Sequence, residues 1–246
     1  SGDTTSAALA FGGGPPSVSV TELWNGSNWA EVNDLNTARQ QSASAGTQTA
    51  ALVIGGEGPG GRVANTELWN GTNWVEQNDL SAITGANSGG GTTSNALSYA
   101  GANATNSVAI TEEWIGAGAA VGAWATANPM NTGRNGLSGA GSYTSAVAFG
   151  GYKGPPGYAN ETEKYNGTNW TEVNDMNTAR STLGGNGSSD SNALAYGGEA
   201  AAPTFMNGLT ETWNGTNWTE VNDLNTVRKQ VGGLGTNNTA ALALGG

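Results

Sequence analysis

The sequence predicts an all-β protein, a five-bladed β-propeller with four-stranded antiparallel blades. Three observations lead to this fold class. A stretch resembling residues 210–228 recurs five times at propeller-like spacing, all nine tryptophans lie inside its copies, and the 41 glycines leave no window with helical spacing of apolar residues. The copies span residues 21–39, 66–84, 111–134, 162–180 and 210–228. Their glutamates, 45, 45, 51 and 48 residues apart, are Glu22, Glu67, Glu112, Glu163 and Glu211.

Each repeat carries signals for four short strands, as residues 181–221 illustrate. A small-residue strand at 181–187 precedes an apolar strand at 191–196 that ends in a Gly-Gly doublet. A third strand at 209–213 and a fourth at 217–221 flank an Asn-Gly pair, which is a strong hairpin signal. First strands that converge on a propeller axis require small side chains, and second strands buried on both faces require apolar ones.

The repeats predict a single domain over residues 1–246. The units are 1–39, 40–84, 85–134, 135–180 and 181–228, followed by closing strands at 229–246. We expect the strand after Arg228 to complete the blade that the N-terminus begins, because such closure removes a free sheet edge. The second strand occurs six times, so one copy is then surplus, and a chain cut from a longer array is the alternative.

The order of residues within a unit resembles the kelch repeat. Arg precedes a small-residue strand, an apolar strand closes on Gly-Gly, and Glu-x-aromatic is followed by Trp and Leu or Met before the next Arg. The doublets are Gly12-Gly13, Gly55-Gly56, Gly150-Gly151, Gly197-Gly198 and Gly245-Gly246. Ala100-Gly101 and Thr84 depart from the pattern. The similarity between copies resembles kelch-type repeats in structural proteins of marine bacteriophages, which implies a virion role.

Composition argues against several classes of function. The net charge of −11 and only eight Lys and Arg residues disfavour a nucleic-acid partner. The absence of cysteine and histidine removes thiolate sites and the commonest general base. There is no apolar run of about 18 residues, so we expect no membrane insertion. Because every acidic residue considered for catalysis belongs to the repeat, we predict no enzyme activity and no cofactor.

The repeated aromatic and charged residues have two interpretations each. Tryptophans packed between blades are favoured over exposed sugar platforms, which would make the protein a lectin with one shallow site per blade, at residues such as Trp74 and Trp218. Arg–Glu pairing across blade junctions is favoured over a ring of carboxylates that binds Ca²⁺. The residues of that weaker metal alternative are Asp34, Asp79, Asp175 and Asp223.

The connections between second and third strands differ from copy to copy and are the expected recognition surface. They span residues 14–19, 57–65, 102–109, 152–160 and 199–208. The candidate contact residues are Arg62, Tyr152, Lys153, Tyr158, Phe205 and Met206. We expect a non-enzymatic structural or binding module of an extracellular or virion assembly, of tail-fibre or decoration type. Its expected partners are virion or surface proteins, with a cell-surface glycan as the alternative.

Overall fold

The computed structural model describes residues 6–116, 122–155, 157–201 and 205–246. Within these ranges every regular element is a β-strand, which confirms the prediction of an all-β chain. The same ranges contain no helix long and apolar enough to cross a bilayer. The strands form antiparallel sheets that are arranged as the blades of a propeller.

Four blades are complete, with their first strand nearest the axis and their fourth strand outermost. Blade 2 comprises Ala43–Gly46, Ala51–Ile54, Thr66–Trp69 and Trp74–Glu76. Blade 3 comprises Ser88–Gly91, Asn95–Tyr99, Thr111–Ile115 and Ala123–Ala127. Blade 4 comprises Ser138–Ser142, Ser145–Phe149, Thr162–Tyr165 and Trp170–Val173. Blade 5 comprises Gly184–Ser189, Asn192–Tyr196, Thr210–Trp213 and Trp218–Val221.

Blade 1 and the end of the chain contain the remaining strands. Blade 1 consists of second, third and fourth strands at Ala8–Phe11, Thr21–Trp24 and Trp29–Val32. A terminal hairpin pairs Gly232–Asn237 with Ala240–Leu244, and a small two-stranded sheet pairs Glu57–Gly58 with Gly61–Arg62. The five-bladed arrangement is therefore confirmed, and blade 1 has three strands within the described residues.

The predicted closure of the ring by pairing of the N- and C-terminal strands is wrong for the residues that the structure describes. Gly232–Asn237 pairs with Ala240–Leu244, whereas Ala8–Phe11 pairs with Thr21–Trp24. Only residues 238 and 239 separate the two hairpin strands, so their pairing closes a very short loop. Pairing the chain ends would close a loop of more than two hundred residues at a higher entropic cost. The second strand Ala240–Leu244 therefore pairs with Gly232–Asn237, the strand that directly precedes it in the sequence.

The tryptophans pack between blades, as predicted. In blades 2 to 5, the indole of the fourth-strand tryptophan donates a hydrogen bond to the first threonine of the preceding blade's third strand. The Nε1–Oγ1 pairs are Trp74–Thr21 at 3.0 Å, Trp124–Thr66 at 3.0 Å, Trp170–Thr111 at 3.0 Å and Trp218–Thr162 at 2.9 Å. In blades 2 and 5, both tryptophans of the hairpin are at most 6% exposed.

The first strands are rich in glycine because aromatic rings from the preceding blade lie directly on them. A Cβ atom at Gly139 would lie 1.8 Å from the hydroxyl oxygen of Tyr99, and one at Gly185 would lie 2.7 Å from Cζ of Phe149. Both separations are too short for non-bonded atoms, so either the ring or the strand would have to move. Small residues near the axis therefore make room for the aromatic ends of the second strands.

Buried ion pairs join successive blades at three junctions, which confirms the predicted Arg–Glu pairing there. Arg39 pairs with Glu67, Arg134 with Glu163 at 2.9 Å and Arg180 with Glu211 at 3.0 Å. Burial lowers the pKa of Arg134 and Arg180 from its ordinary value, and the paired glutamates oppose that shift. At the junction of blades 2 and 3, the arginine position holds Thr84, and Glu112 accepts a hydrogen bond from the Ser81 backbone N–H at 2.9 Å.

The Asn-Gly hairpins are four-residue loops, and the predicted start of the fourth strand at residue 217 is one residue early. In blade 5, Trp213 pairs directly with Trp218. Gly215 has a φ of +93°, and the Asn214 side-chain oxygen accepts the backbone N–H groups of Thr216 and Asn217 at 2.9 and 2.8 Å. The asparagine side chain thus stabilises the loop by the hydrogen bonding typical of Asx turns.

Candidate functional site

The connections between second and third strands lie at the same end of the propeller as the turns that precede the first strands. Backbone bridges join the two sets, as in Gln40 with Glu57, Asn135 with Tyr152 and Ser181 with Glu199. We call this end the loop face, defined by the described residues within 14–19, 57–65, 102–109, 152–160 and 199–208. The grouping of variable segments on one face follows from the alternating direction of the strands.

An axial cavity of about 520 Å³ lies within the propeller and includes residues from the turns of this end. Its described lining combines amide and hydroxyl groups with aliphatic side chains. Its polar members are Gln40, Gln41, Ser42, Ser44, Asn87, Asn135, Thr182 and Gln230. Leu9 and Phe11 of blade 1 also line it. Such groups can donate and accept hydrogen bonds, but they are poor proton-transfer groups at neutral pH.

A cluster of four side chains crosses the loop face from blade 4 to the turn that precedes the terminal hairpin. The rings of Tyr152 and Tyr158 meet edge to face with centroids 5.7 Å apart. The Tyr158 hydroxyl donates a hydrogen bond to Oε1 of Glu199 at 3.1 Å, and Lys229 Nζ lies 2.7 Å from Glu199 Oε2. We call these four residues the tyrosine–glutamate–lysine cluster. It joins two variable segments to the turn that precedes the terminal hairpin.

The cluster shifts the titration of two of its members. The pKa of Glu199 lies below its ordinary value, because Glu199 accepts a hydrogen bond from Lys229, attracts its charge and accepts a second hydrogen bond from Tyr158. Burial opposes this shift. Burial and the Glu199 carboxylate raise the pKa of Tyr158. The glutamate is therefore ionised and the tyrosine protonated at neutral pH, which is the state that both hydrogen bonds need.

Arg62 and Lys153 make contacts within the loop face. The Arg62 guanidinium donates a hydrogen bond to the backbone oxygen of Asn103, which joins the connections of blades 2 and 3. Lys153 forms an ion pair with Glu161, whose pKa is lowered by that contact although burial opposes the shift. These two candidates thus contribute to the shape of the face, and Lys153 is 37% exposed in its side chain.

Phe205 and Met206 are the exposed apolar candidates on the loop face, at 61% and 48% exposure. Met206 forms a backbone bridge with Glu199, and the backbone oxygen of Phe205 accepts a hydrogen bond from Ala200 at 3.2 Å. Both residues are thereby tied to the segment that holds the tyrosine–glutamate–lysine cluster. The structure brings Tyr152, Tyr158 and Met206 together through Glu199, whereas Arg62 lies on the connection of blade 2.

The aspartates of the metal alternative serve the backbone in at least two repeats. Asp34 accepts the N–H of Thr21 at 3.2 Å, and Asp223 accepts the N–H of Thr210 at 3.1 Å. Each carboxylate thus supports the start of the third strand. Among the described residues, no three acidic side chains gather at a site that could hold a metal ion.

Sequence reasoning missed Glu199 and Lys229. Glu199 directly follows the doublet of blade 5, and Lys229 directly follows the last repeat arginine. The equivalent positions in the other copies hold mostly uncharged residues. A charged residue at such a position was therefore the feature of the sequence that could have identified this pair.

Comparison with known proteins supports the fold and goes no further. No protein-family model matches the sequence. No curated protein matches it. A solved structure titled "Structure of YjhT" is similar, with a TM-score of 0.80 and 12% sequence identity over 99% of this chain and 90% of that chain. This similarity shows a β-propeller, while kelch membership and a phage source stay predictions.

Proposed function

We propose that this chain is a non-enzymatic structural or binding module of an extracellular or virion assembly, of the tail-fibre or decoration type. It recognises a protein partner through the loop face. The kelch-type order of residues and the resemblance to repeats of marine phage structural proteins support this role. A propeller scaffold with one variable face suits a binding module, because a rigid scaffold holds its loops in place before the partner arrives.

The observation that carries the proposal is the exposed pair Phe205 and Met206 beside a pre-organised polar cluster. Aromatic residues and Met are enriched in the buried centres of protein interfaces, with polar groups around them. The tyrosine–glutamate–lysine cluster supplies such polar groups and fixes the segment that carries the two apolar side chains.

Buried tryptophans weaken the lectin alternative. Trp74 and Trp218 are 5% and 6% exposed, and the indole of each donates a hydrogen bond to a neighbouring blade. Sugar stacking on either ring would require the blade junction to open. The lectin expectation therefore gains no support from these rings.

The test measures binding of the labelled chain to immobilised structural proteins of marine tailed phages and to a glycan array. We expect protein binding that is lost when Phe205 and Met206 are both changed to Ser. Ile115→Ser is the matched control, because Ile115 is 55% exposed but lies beside the hairpin loop at the opposite end of its blade. Binding to glycans alone that survives the double substitution would overturn the proposal.

A further inference from the structure

At three junctions the propeller binds a buried guanidinium through the same set of oxygen atoms. Between blades 1 and 2, Nη1 of Arg39 donates to the backbone oxygens of Gly55 and Asn65 at 3.3 and 2.8 Å. Its Nη2 pairs with the carboxylate of Glu67. The other two junctions repeat this arrangement, with Gly150, Glu161 and Glu163 around Arg134, and Gly197, Leu209 and Glu211 around Arg180.

The junction of blades 2 and 3 has the same oxygen atoms but no arginine. Ala100 has a φ of +58°, close to the +60° of Gly55, and its N–H donates to the carbonyl of Ile110 at 2.8 Å. The carbonyls of Ala100 and Ile110 and the carboxylate of Glu112 are therefore the equivalents of the three groups that bind arginine elsewhere. The arginine position itself holds Thr84, which is 3% exposed.

Glu112 is buried with fewer partners than its counterpart in blade 4. It is 2% exposed and accepts a hydrogen bond from the Ser81 backbone N–H at 2.9 Å. Glu163 accepts the backbone N–H and the side-chain amide of Asn131 at 2.7 and 2.9 Å and also pairs with Arg134. All eight Lys and Arg residues lie within the described ranges, and none of them forms an ion pair with Glu112. Because a buried carboxylate without a counter-ion is costly, a bound cation would stabilise this junction.

Arg62 lies over this turn, but its guanidinium is bound elsewhere. Its Cγ and Cδ are 3.2 and 3.3 Å from the position that a Cβ of Gly85 would take, and its Nη1 donates to the backbone oxygen of Asn103. None of the ion pairs among the described residues joins Arg62 to Glu112. Arg62 thus covers part of the turn without replacing the repeat arginine.

We propose that the junction of blades 2 and 3 is a binding site for a monovalent cation of the size of K⁺. The cation takes the place of the guanidinium. It contacts the Glu112 carboxylate and the backbone oxygens of Ala100 and Ile110, and it supplies the positive charge that arginine supplies at the other three junctions.

The oxygen atoms favour this class of cation over others. Carboxylate and carbonyl oxygens suit hard cations. A single carboxylate balances a single positive charge, whereas a divalent ion would leave an uncompensated charge in a buried position. The two carbonyl oxygens of the equivalent site lie 2.8 and 3.3 Å from one nitrogen of Arg39, while Ca²⁺ binds oxygens at about 2.3–2.6 Å. Backbone carbonyls at the longer distance suit K⁺, whose hydration shell such oxygens replace in potassium channels.

The test compares the Tm of the chain in potassium chloride and in choline chloride at equal ionic strength, so that general screening is the same. We expect a saturable rise of Tm with K⁺, because a ligand of the folded state stabilises it by mass action. Calcium chloride at the same ionic strength should raise the Tm less. Glu112→Gln removes the carboxylate and should abolish the rise. Glu31→Gln is the matched control and should retain it, because Glu31 is exposed.

Thr84→Arg tests the same site by restoring the residue of the other junctions. The introduced guanidinium should pair with Glu112, so this variant should have a higher Tm than the wild type in choline chloride and no response to K⁺. In the wild type, the amide NMR shifts of Ala100 and Glu112 should change on titration with K⁺ and stay constant with choline.

Equal Tm values of the wild-type chain in the potassium and choline salts would overturn the proposal. A response to K⁺ that survives both Glu112→Gln and Thr84→Arg would also overturn it, because the cation would then bind elsewhere. A larger rise with Ca²⁺ than with K⁺ would refute the assignment of the cation. Phe205 and Met206 take no part in these measurements, so their outcome is independent of the proposed function.

Discussion

At the scale of single residues, the same side chain has different consequences in different copies of the repeat. Glu163 is buried and binds Arg134 Nη2 at 2.9 Å and the Asn131 backbone N–H at 2.7 Å. Glu22 occupies the same position in blade 1 and is exposed. The repeat sequence alone does not distinguish the two, because the difference lies in what the neighbouring blade supplies.

Glu163→Gln should destabilise the protein by about 3–5 kcal/mol, because it leaves the buried Arg134 charge without its counter-ion. The measurement is urea unfolding followed by tryptophan fluorescence. Glu22→Gln is the control and should change the free energy of unfolding by less than about 0.5 kcal/mol, as is usual for exposed positions. Equal losses for the two variants would contradict the difference in burial.

At the scale of elements, blade junctions depend on glycine in first strands and on tryptophan in fourth strands. Gly139→Ala should destabilise the protein by about 1–3 kcal/mol, the range for overpacked cores. The added Cβ would meet the Tyr99 hydroxyl and lie 2.8 Å from the backbone oxygen of Val147. Gly60→Ala is the matched control, because a Cβ there has no described atom within 4 Å. Thermal unfolding of both variants checks the prediction, and a neutral Gly139→Ala would refute the close packing.

The indole hydrogen bond between blades can be isolated by a double-mutant cycle. Trp218→Phe and Thr162→Val should each destabilise the protein, and the two effects should couple by about 1 kcal/mol, the usual net value of one hydrogen bond. Trp29→Phe is the control, because no described threonine accepts its N–H. Additive effects of the Trp218 and Thr162 substitutions in chemical denaturation would argue against the bond.

Elements that recur were predictable, and those that occur once were not. The tryptophans, the Arg–Glu pairs and the glycine-rich first strands each have several copies, so one packing rule accounts for all of them. Glu199 and Lys229 are 30 residues apart in the sequence and form an ion pair that occurs in one copy only, so the repeat pattern does not predict it. The hairpin at the C-terminus was also beyond the pattern. The repeat predicts which strands exist. It does not predict whether Gly232–Asn237 pairs with Ala8–Phe11 or with Ala240–Leu244, because that choice depends on the entropic cost of closing the loop between the strands.

At the scale of the whole molecule, buried tyrosines link the stability of the ring to alkaline pH. Burial raises the pKa of Tyr99 to about 12, and burial also raises the pKa of Tyr165 and Tyr196 above the ordinary value near 10. Tyr165 additionally donates a hydrogen bond to Glu113 at 2.6 Å, which favours its neutral form. These three residues belong to the cores of blades 3, 4 and 5.

The protein should therefore lose stability as the pH rises from about 10 towards 12. In that window the unfolded chain releases tyrosine protons near its ordinary pKa of about 10, while the folded chain retains them, so the unfolded state binds fewer protons and becomes favoured. Absorbance at 295 nm and far-UV circular dichroism, recorded on the same titration, check this. The last tyrosines to ionise should do so together with the loss of β-structure, so that the two signals change over the same narrow range of pH.

Tyr196→Phe removes one such proton without removing the ring, so it should move the midpoint of unfolding to higher pH. An unchanged midpoint in that variant, with wild-type stability at pH 7, would mean that the buried hydroxyls do not govern the alkaline transition.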